Sequence, residues 1–157
     1  MKAATISEIK QELNVIAPAK LLDLCIRLAK YKKENKELLT YLLFEADDES
    51  AYIESVKKGM DEQFAGINQS NLYFVKKSLR KILRTTGKYI RHTGSKQSEV
   101  ELLLYFCSVL LNSSIPIHKS TVLINLYQFQ LKKIAKVIAT LHEDLQYDYL
   151  KELKKLE

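Results

Sequence analysis

One segment of this sequence carries many basic residues and no acidic ones, and such side chains are suited to binding anions. From residue 63 to 98 the chain carries eight Lys or Arg and no Asp or Glu. Six of them recur at spacings of three or four, which places them on one face of a helix. We call these six the basic face: Lys77, Arg80, Lys81, Arg84, Lys88 and Arg91. A face of one charge sign attracts an acidic protein segment or the phosphates of a nucleic acid.

The same pattern also has a purely structural interpretation. Lys and Arg are good helix formers whose apolar stems cover neighbouring surface, and a charged helix face is often only solvated. Acidic residues elsewhere could also pair with the basic face in the fold, namely Asp47, Asp48, Glu49, Asp61 and Glu62. Tyr73, Tyr89 and His92 near the ends of the helix favour binding instead, because an aromatic ring can stack on a nucleotide base.

Residues that support catalysis or metal binding are sparse in the rest of the chain. The three histidines, His92, His118 and His142, belong to no HExxH, Glu-x-x-His or i, i+4 histidine pattern. Cys25 and Cys107 lie in apolar runs, which predicts buried and unreactive thiols. Neither common nucleotide-binding loop, GxxxxGK[ST] or GxGxxG, occurs. We therefore predict a protein that is not an enzyme and needs no metal and no cofactor.

Composition predicts one all-α domain covering residues 1–157. Hydrophobic residues make up 46% and charged residues 28% of the chain, which is typical of globular proteins. Only four Gly and two Pro occur, whereas turn-rich β folds need both repeatedly. The N-terminal residues lack the apolar core of a secretion signal, and no apolar run reaches the roughly 20 residues of a membrane span. We expect a cytoplasmic protein with no membrane span.

Apolar residues at helical spacing predict seven or eight helices and no convincing strand. The segments are about 5–16, 18–33, 34–46, 48–65, 70–92, 95–112, 117–141 and 143–156. The sixth segment starts at either Ser95 or Ser98, and 117–141 is either one helix or two. Local signals support several ends. Thr5 with Glu8 forms a capping-box pattern, Pro18 suits a first helical turn, and Gly94 suits a C-terminal cap. The segment around LLLYFCSVLL is apolar on all sides, which predicts a central buried helix.

Three adjacent segments, 17–32, 34–46 and 48–65, are predicted helices joined by very short turns, and the first two are rich in Leu. In this respect the chain resembles the HEAT and armadillo-like α-helical repeat proteins. The resemblance implies a short α-solenoid of stacked helical hairpins, and an irregular helical bundle is the alternative. No consensus recurs at a period near 40 residues, so the resemblance implies an architecture and no functional residue.

These observations predict an interaction module that binds an acidic protein partner through residues 76–91. The alternative is a nucleic-acid-binding protein that uses the same basic face on phosphates. The C-terminal segment 143–156 carries Tyr147 and Tyr149 on an amphipathic helix. This helix docks either within the domain or onto a second copy of the chain, so a homo-oligomer is a further expectation.

Overall fold

Eight α-helices and no strand form the chain, which confirms the all-α prediction. The computed structural model describes all 157 residues. In chain order the helices are α1 (Ile6–Val15), α2 (Pro18–Tyr31), α3 (Lys33–Phe44), α4 (Glu49–Ala65), α5 (Leu72–Thr93), α6 (Lys96–Asn112), α7 (Thr121–Ile138) and α8 (Glu143–Lys154). A short 3-10 turn, Ile117–Lys119, precedes α7. No helix has the length and apolar character that crossing a membrane requires.

The ends of the helices follow local signals in the sequence. Thr5 and Glu8 form a reciprocal capping box at the start of α1. Pro18 is the first residue of α2, where its missing N–H leaves no hydrogen bond unmade. Asp48 accepts a hydrogen bond from a backbone N–H in the first turn of α4. Gly94 ends α5 with a φ of 62°, a left-handed conformation that a residue with a Cβ adopts at a cost.

The chain divides into two compact units, and the first, unit 1, comprises Met1–Glu45. Helices α2 and α3 pack as a hairpin around a one-residue turn, and the Asn35 amide donates a hydrogen bond to the Leu28 carbonyl at 2.9 Å. Tyr41 is the only buried residue of unit 1. Apolar residues recur at helical spacing on both helices, yet most of them are exposed, because α1, the third helix of unit 1, makes little contact with either helix. Cys25 is likewise half-buried and not buried as predicted.

Unit 2 comprises Ala46–Glu157 and holds the main core. Each of its helices packs against the next along the chain, and α6 contacts α4, α5, α7 and α8. Phe106 and Cys107 on α6 have no exposed surface, so the prediction of a central buried helix is confirmed. The segment predicted at 117–141 forms the 3-10 turn followed by the single helix α7. That residues 1–157 behave as one domain stays a prediction.

Two buried phenol groups hold α8 against the rest of unit 2. The Tyr149 hydroxyl on α8 donates to the Glu101 carboxylate on α6 at 2.7 Å. The Tyr127 hydroxyl on α7 donates to the Leu156 carbonyl beyond the end of α8, also at 2.7 Å. Burial, as the largest cause, raises the pKa of both phenols to about 12, so both are neutral hydrogen-bond donors at neutral pH.

Candidate anion-binding surface

Helix α5 separates its apolar and basic residues onto opposite sides. Its buried residues recur every three or four positions and face the core: Val75, Leu79, Ile82, Thr86 and Ile90. At 100° per residue the six members of the basic face occupy an arc of about 100° on the opposite side of the helix. From Lys77 to Arg91 this face is about 21 Å long, at 1.5 Å per residue. Lys88 is half-buried and the other five are exposed.

Five members of the basic face have no acidic partner within ion-pair distance. The ion pairs of the chain involve other basic residues. The five are Lys77, Arg80, Lys81, Arg84 and Arg91. Like charges three or four residues apart on a helix repel by a few tenths of a kcal/mol per pair, about the same as an attractive pair would contribute. The fold therefore carries this row of positive charges without neutralising it.

The acids that the sequence offered as partners for these five residues have other contacts. Asp48 caps α4, and Glu49 accepts a hydrogen bond from the Ser98 hydroxyl. Asp61 accepts a hydrogen bond from the Tyr105 hydroxyl at 2.8 Å. Asp47 and Glu62 are exposed, and neither of them forms an ion pair. The interpretation that these acids pair with the five basic residues is therefore wrong. The interpretation that the basic face is merely solvated stays an alternative.

The aromatic residues at the two ends of α5 have different surroundings. Tyr73 is 60% exposed and packs edge-on against the exposed Phe74, with ring centroids 5.7 Å apart. Tyr73 precedes Lys77 by one helical turn, so it lies at the N-terminal end of the basic face. At the other end Tyr89 and His92 are half-buried, with ring centroids 6.0 Å apart. Of the three predicted stacking residues, Tyr73 is the one with an open ring face.

A pocket that the sequence did not predict lies at the C-terminal end of the basic face. It encloses about 390 Å³ and is lined by one cation from each of three helices: Arg91 of α5, Lys96 of α6 and Lys133 of α7. Lys133 is the residue that sequence reasoning missed. No local signal could have found it, because it joins the others only through the packing of α7 against α6.

Glu99 is the single acid that lines this pocket. Its carboxylate is buried and accepts hydrogen bonds from the ammonium groups of Lys96 and Lys133, each at 3.1 Å. Burial raises the pKa of Glu99, but the hydrogen bonds and charges of Lys133 and Lys96 outweigh burial and hold that pKa below its ordinary value. Glu99 is therefore ionised at neutral pH, and the lining as a whole keeps a positive charge.

Residues with catalytic or metal-binding potential lie apart from one another. No three His, Cys, Asp or Glu side chains come close enough to hold a metal ion. Burial raises the pKa of Cys107 to about 12, so its thiol is protonated and a poor nucleophile. His142 accepts a hydrogen bond from the Asp144 N–H and caps α8.

The two tyrosines of α8 point to different environments. Tyr149 docks within unit 2, whereas Tyr147 is 73% exposed. Leu150 is also exposed, so α8 presents apolar side chains to solvent. Association of two copies of the chain through α8 stays a prediction.

Comparison of the chain with protein-family models, with curated proteins and with solved structures found no match.

Proposed function

We propose that this chain is a cytoplasmic interaction module without enzymatic activity, and that it binds an acidic protein partner through the basic face. The observation that supports the proposal is the row of five exposed cations with no acidic partner in the fold. Carboxylates on a partner helix, repeating at three and four residues, would match the spacing of these cations over about four turns.

The N-terminal end of α5 supports a protein partner in particular. Leu72, Tyr73 and Phe74 are all exposed there, next to the first cation of the basic face. Protein interfaces combine an apolar, aromatic-rich centre with charged residues around it, and Tyr and Arg are enriched in them. A phosphate backbone makes no use of the apolar part of such a surface, whereas an acidic protein with its own apolar residues uses both parts.

Nucleic acid is the second candidate, and the exposed ring of Tyr73 is the observation in its favour. Phosphates bind Lys and Arg without any sequence motif, and an unpaired base could stack on this ring. A single exposed helix also fits the major groove of a duplex. This candidate uses the same cations as the first, so salt dependence alone does not distinguish the two.

Direct binding to defined probes tests the proposal. We would measure fluorescence anisotropy of a labelled Glu- and Leu-containing helical peptide, of a single-stranded RNA and of a DNA duplex at 50 and 150 mM salt. A triple variant, Arg80→Gln with Lys81→Gln and Arg84→Gln, removes the centre of the basic face. Three exposed charge pairs contribute about 1.5 kcal/mol together, so we expect the acidic peptide to bind about tenfold more weakly to this variant.

The matched control removes the same charge from other parts of unit 2. Lys132, Lys151 and Lys154 are exposed and form no ion pair, and all three would be changed to Gln. We expect this control to bind the acidic peptide within about twofold of the original chain, because these residues lie outside the basic face. Equal losses in the two variants would mean that net charge alone governs binding. Displacement of the peptide by RNA or DNA at equal concentration would favour the second candidate.

A further inference from the structure

The pocket at the end of the basic face has spare hydrogen-bond donors. An ammonium group carries three N–H donors, and Lys96 and Lys133 each use one on Glu99. The Arg91 guanidinium forms no ion pair, and it has five N–H donors in a planar fork that matches the oxygens of a phosphate. Donors from three helices therefore converge on one concave site.

The charge of the lining points to the class of anion. Three cations and the Glu99 carboxylate leave a formal charge of two positive units around the pocket. A phosphate monoester carries about −1.5 to −2 charges at pH 7 and offers three strong acceptor oxygens. A carboxylate or an internal phosphate of a nucleic acid carries only one negative charge, so a monoester matches the lining better.

The size and position of the pocket also fit an anionic group that belongs to a larger ligand. Its volume of about 390 Å³ exceeds that of a phosphate group, so it has room for the atoms that link the phosphate to its carrier. Gly87 lines the pocket and adds no side chain to it. Arg91 belongs both to the pocket and to the basic face, so one extended ligand could contact the two together.

We propose that this pocket binds the phosphate of a phosphoserine or phosphothreonine in the acidic protein segment that lies along the basic face. The inference rests on the proposed function, because it assigns the pocket to the same partner. Phosphorylation of that partner would then control its affinity for this chain. The phosphate would place its oxygens against Arg91 and the two lysines, while Glu99 keeps the lysine ammonium groups at the pocket wall.

The experiment compares two forms of one probe on the full chain. The probe is the labelled acidic peptide of the previous section with a terminal Ser or the same residue as phosphoserine. One to three new charge-assisted hydrogen bonds should make the phosphorylated form bind about tenfold more tightly.

Two substitutions in the pocket test this gain. We expect Lys133→Gln and, separately, Arg91→Gln to abolish most of the tenfold gain. Arg91 is exposed and unpaired, so its variant should fold even if loss of Lys133 disturbs Glu99. The control is Lys132→Gln, one residue away on α7 and exposed, which should keep the gain.

The outcomes separate this inference from the proposed function. Equal binding of the Ser and phosphoserine peptides would overturn the pocket assignment and leave the basic face as an acidic-peptide site. The triple variant of the basic face should weaken both peptides and preserve the ratio between them. Failure of both peptides to bind would overturn the proposed function and the inference with it. An RNA that gains affinity from a 5′-phosphate, with no gain for the phosphopeptide, would overturn the choice of a protein ligand.

Discussion

The two units of this chain are built from the same kind of helix, yet only one of them encloses a core. Both units consist mainly of amphipathic helices joined by short connections. Unit 2 surrounds α6 with four helices, whereas unit 1 has a single hairpin and buries only Tyr41. A helix that is apolar on all sides gives its neighbours a surface to cover, and unit 1 has no such helix. An amphipathic stripe shows that a helix needs a partner, and it does not show that the partner is present.

Size reinforces the contrast between the two units. Unit 1 has 45 residues, close to the limit of about 40 below which a chain usually needs a metal, disulfides or oligomerisation to fold alone. Its α2–α3 hairpin leaves an apolar groove of about 250 Å³ that is lined by Cys25, Leu28, Leu38 and Leu42 among others. Unit 2 has enough residues for a core that excludes water. We therefore expect the stability of the chain to originate in unit 2.

The largest expected effect comes from two matched substitutions of phenylalanine. Phe106 in unit 2 is 0% exposed and Phe44 in unit 1 is 78% exposed. Phe106→Ala should lower the free energy of unfolding by about 3–5 kcal/mol, because it removes a buried ring and leaves a cavity. Phe44→Ala should change it by no more than about 0.5 kcal/mol, as expected for a surface position. Urea unfolding followed by circular dichroism measures both. A large cost at Phe44 that grows with protein concentration would show that association covers unit 1 in solution.

A smaller effect is expected at the buried carboxylate of unit 2. Glu99→Gln should lower the free energy of unfolding by about 1–2 kcal/mol at pH 7, because two charged hydrogen bonds to partly exposed lysines are lost. Since the pKa of Glu99 is lowered in the fold, its contribution is present above the ordinary value of 4.5 and is lost as the pH falls below it. The difference in unfolding free energy between the original chain and the Glu99→Gln variant should therefore be smaller in urea titrations at pH 4 and pH 3 than at pH 7.

The control for this effect is an exposed acid of unit 1. Glu12 on α1 is exposed and forms no ion pair. Glu12→Gln should change the free energy of unfolding at pH 7 by less than about 0.5 kcal/mol. If Glu99→Gln had no larger effect than Glu12→Gln, the lysine pair would add nothing to the stability of unit 2.

The smallest effect comes from the N-terminal caps of one helix in each unit. Asp48→Ala at α4 should lower the free energy of unfolding by about 1 kcal/mol, because an N–H in the first turn loses its acceptor. Thr5→Ala removes a similar cap from α1, a helix with no buried residue. We expect it to increase amide hydrogen exchange over residues 6–15 without changing global unfolding. Loss of global stability from Thr5→Ala would instead support one cooperative domain over residues 1–157.

Local sequence signals predicted most of the helices. Thr5 with Glu8, Pro18, Asp48 and Gly94 act over one turn, so their effect does not depend on the rest of the fold. Ser98 shows the limit of such signals. It was an alternative start for α6, but Ser95 takes the capping position and the Ser98 hydroxyl donates to Glu49 of α4. A contact between distant segments decided the role of Ser98.

The residues of the candidate site also divide into those that local spacing predicts and those that only the fold brings together. The six residues of the basic face lie within one helix, so their spacing alone predicted that they share a side of α5. Periodicity does not show how far along the helix burial extends: Leu72 has the spacing of the buried residues of α5 but is exposed in the first turn. The pocket depends on Lys133, more than 30 residues from Lys96 in the chain, and only the packing of α7 on α6 brings the two to one carboxylate.

The order in which the helices of unit 2 meet has a consequence for how the unit forms. Because each helix packs against the next along the chain, most loops that must close are short and lose little entropy. Folds rich in such local contacts reach the native state fast, because neighbouring segments of the chain can pair without closing a long loop. Helices α4 to α7 can therefore pair in the order in which they occur along the chain, before α8 docks. When α8 docks, the helices that it packs against are already in place, and the Tyr149 hydroxyl can donate at once to the Glu101 carboxylate.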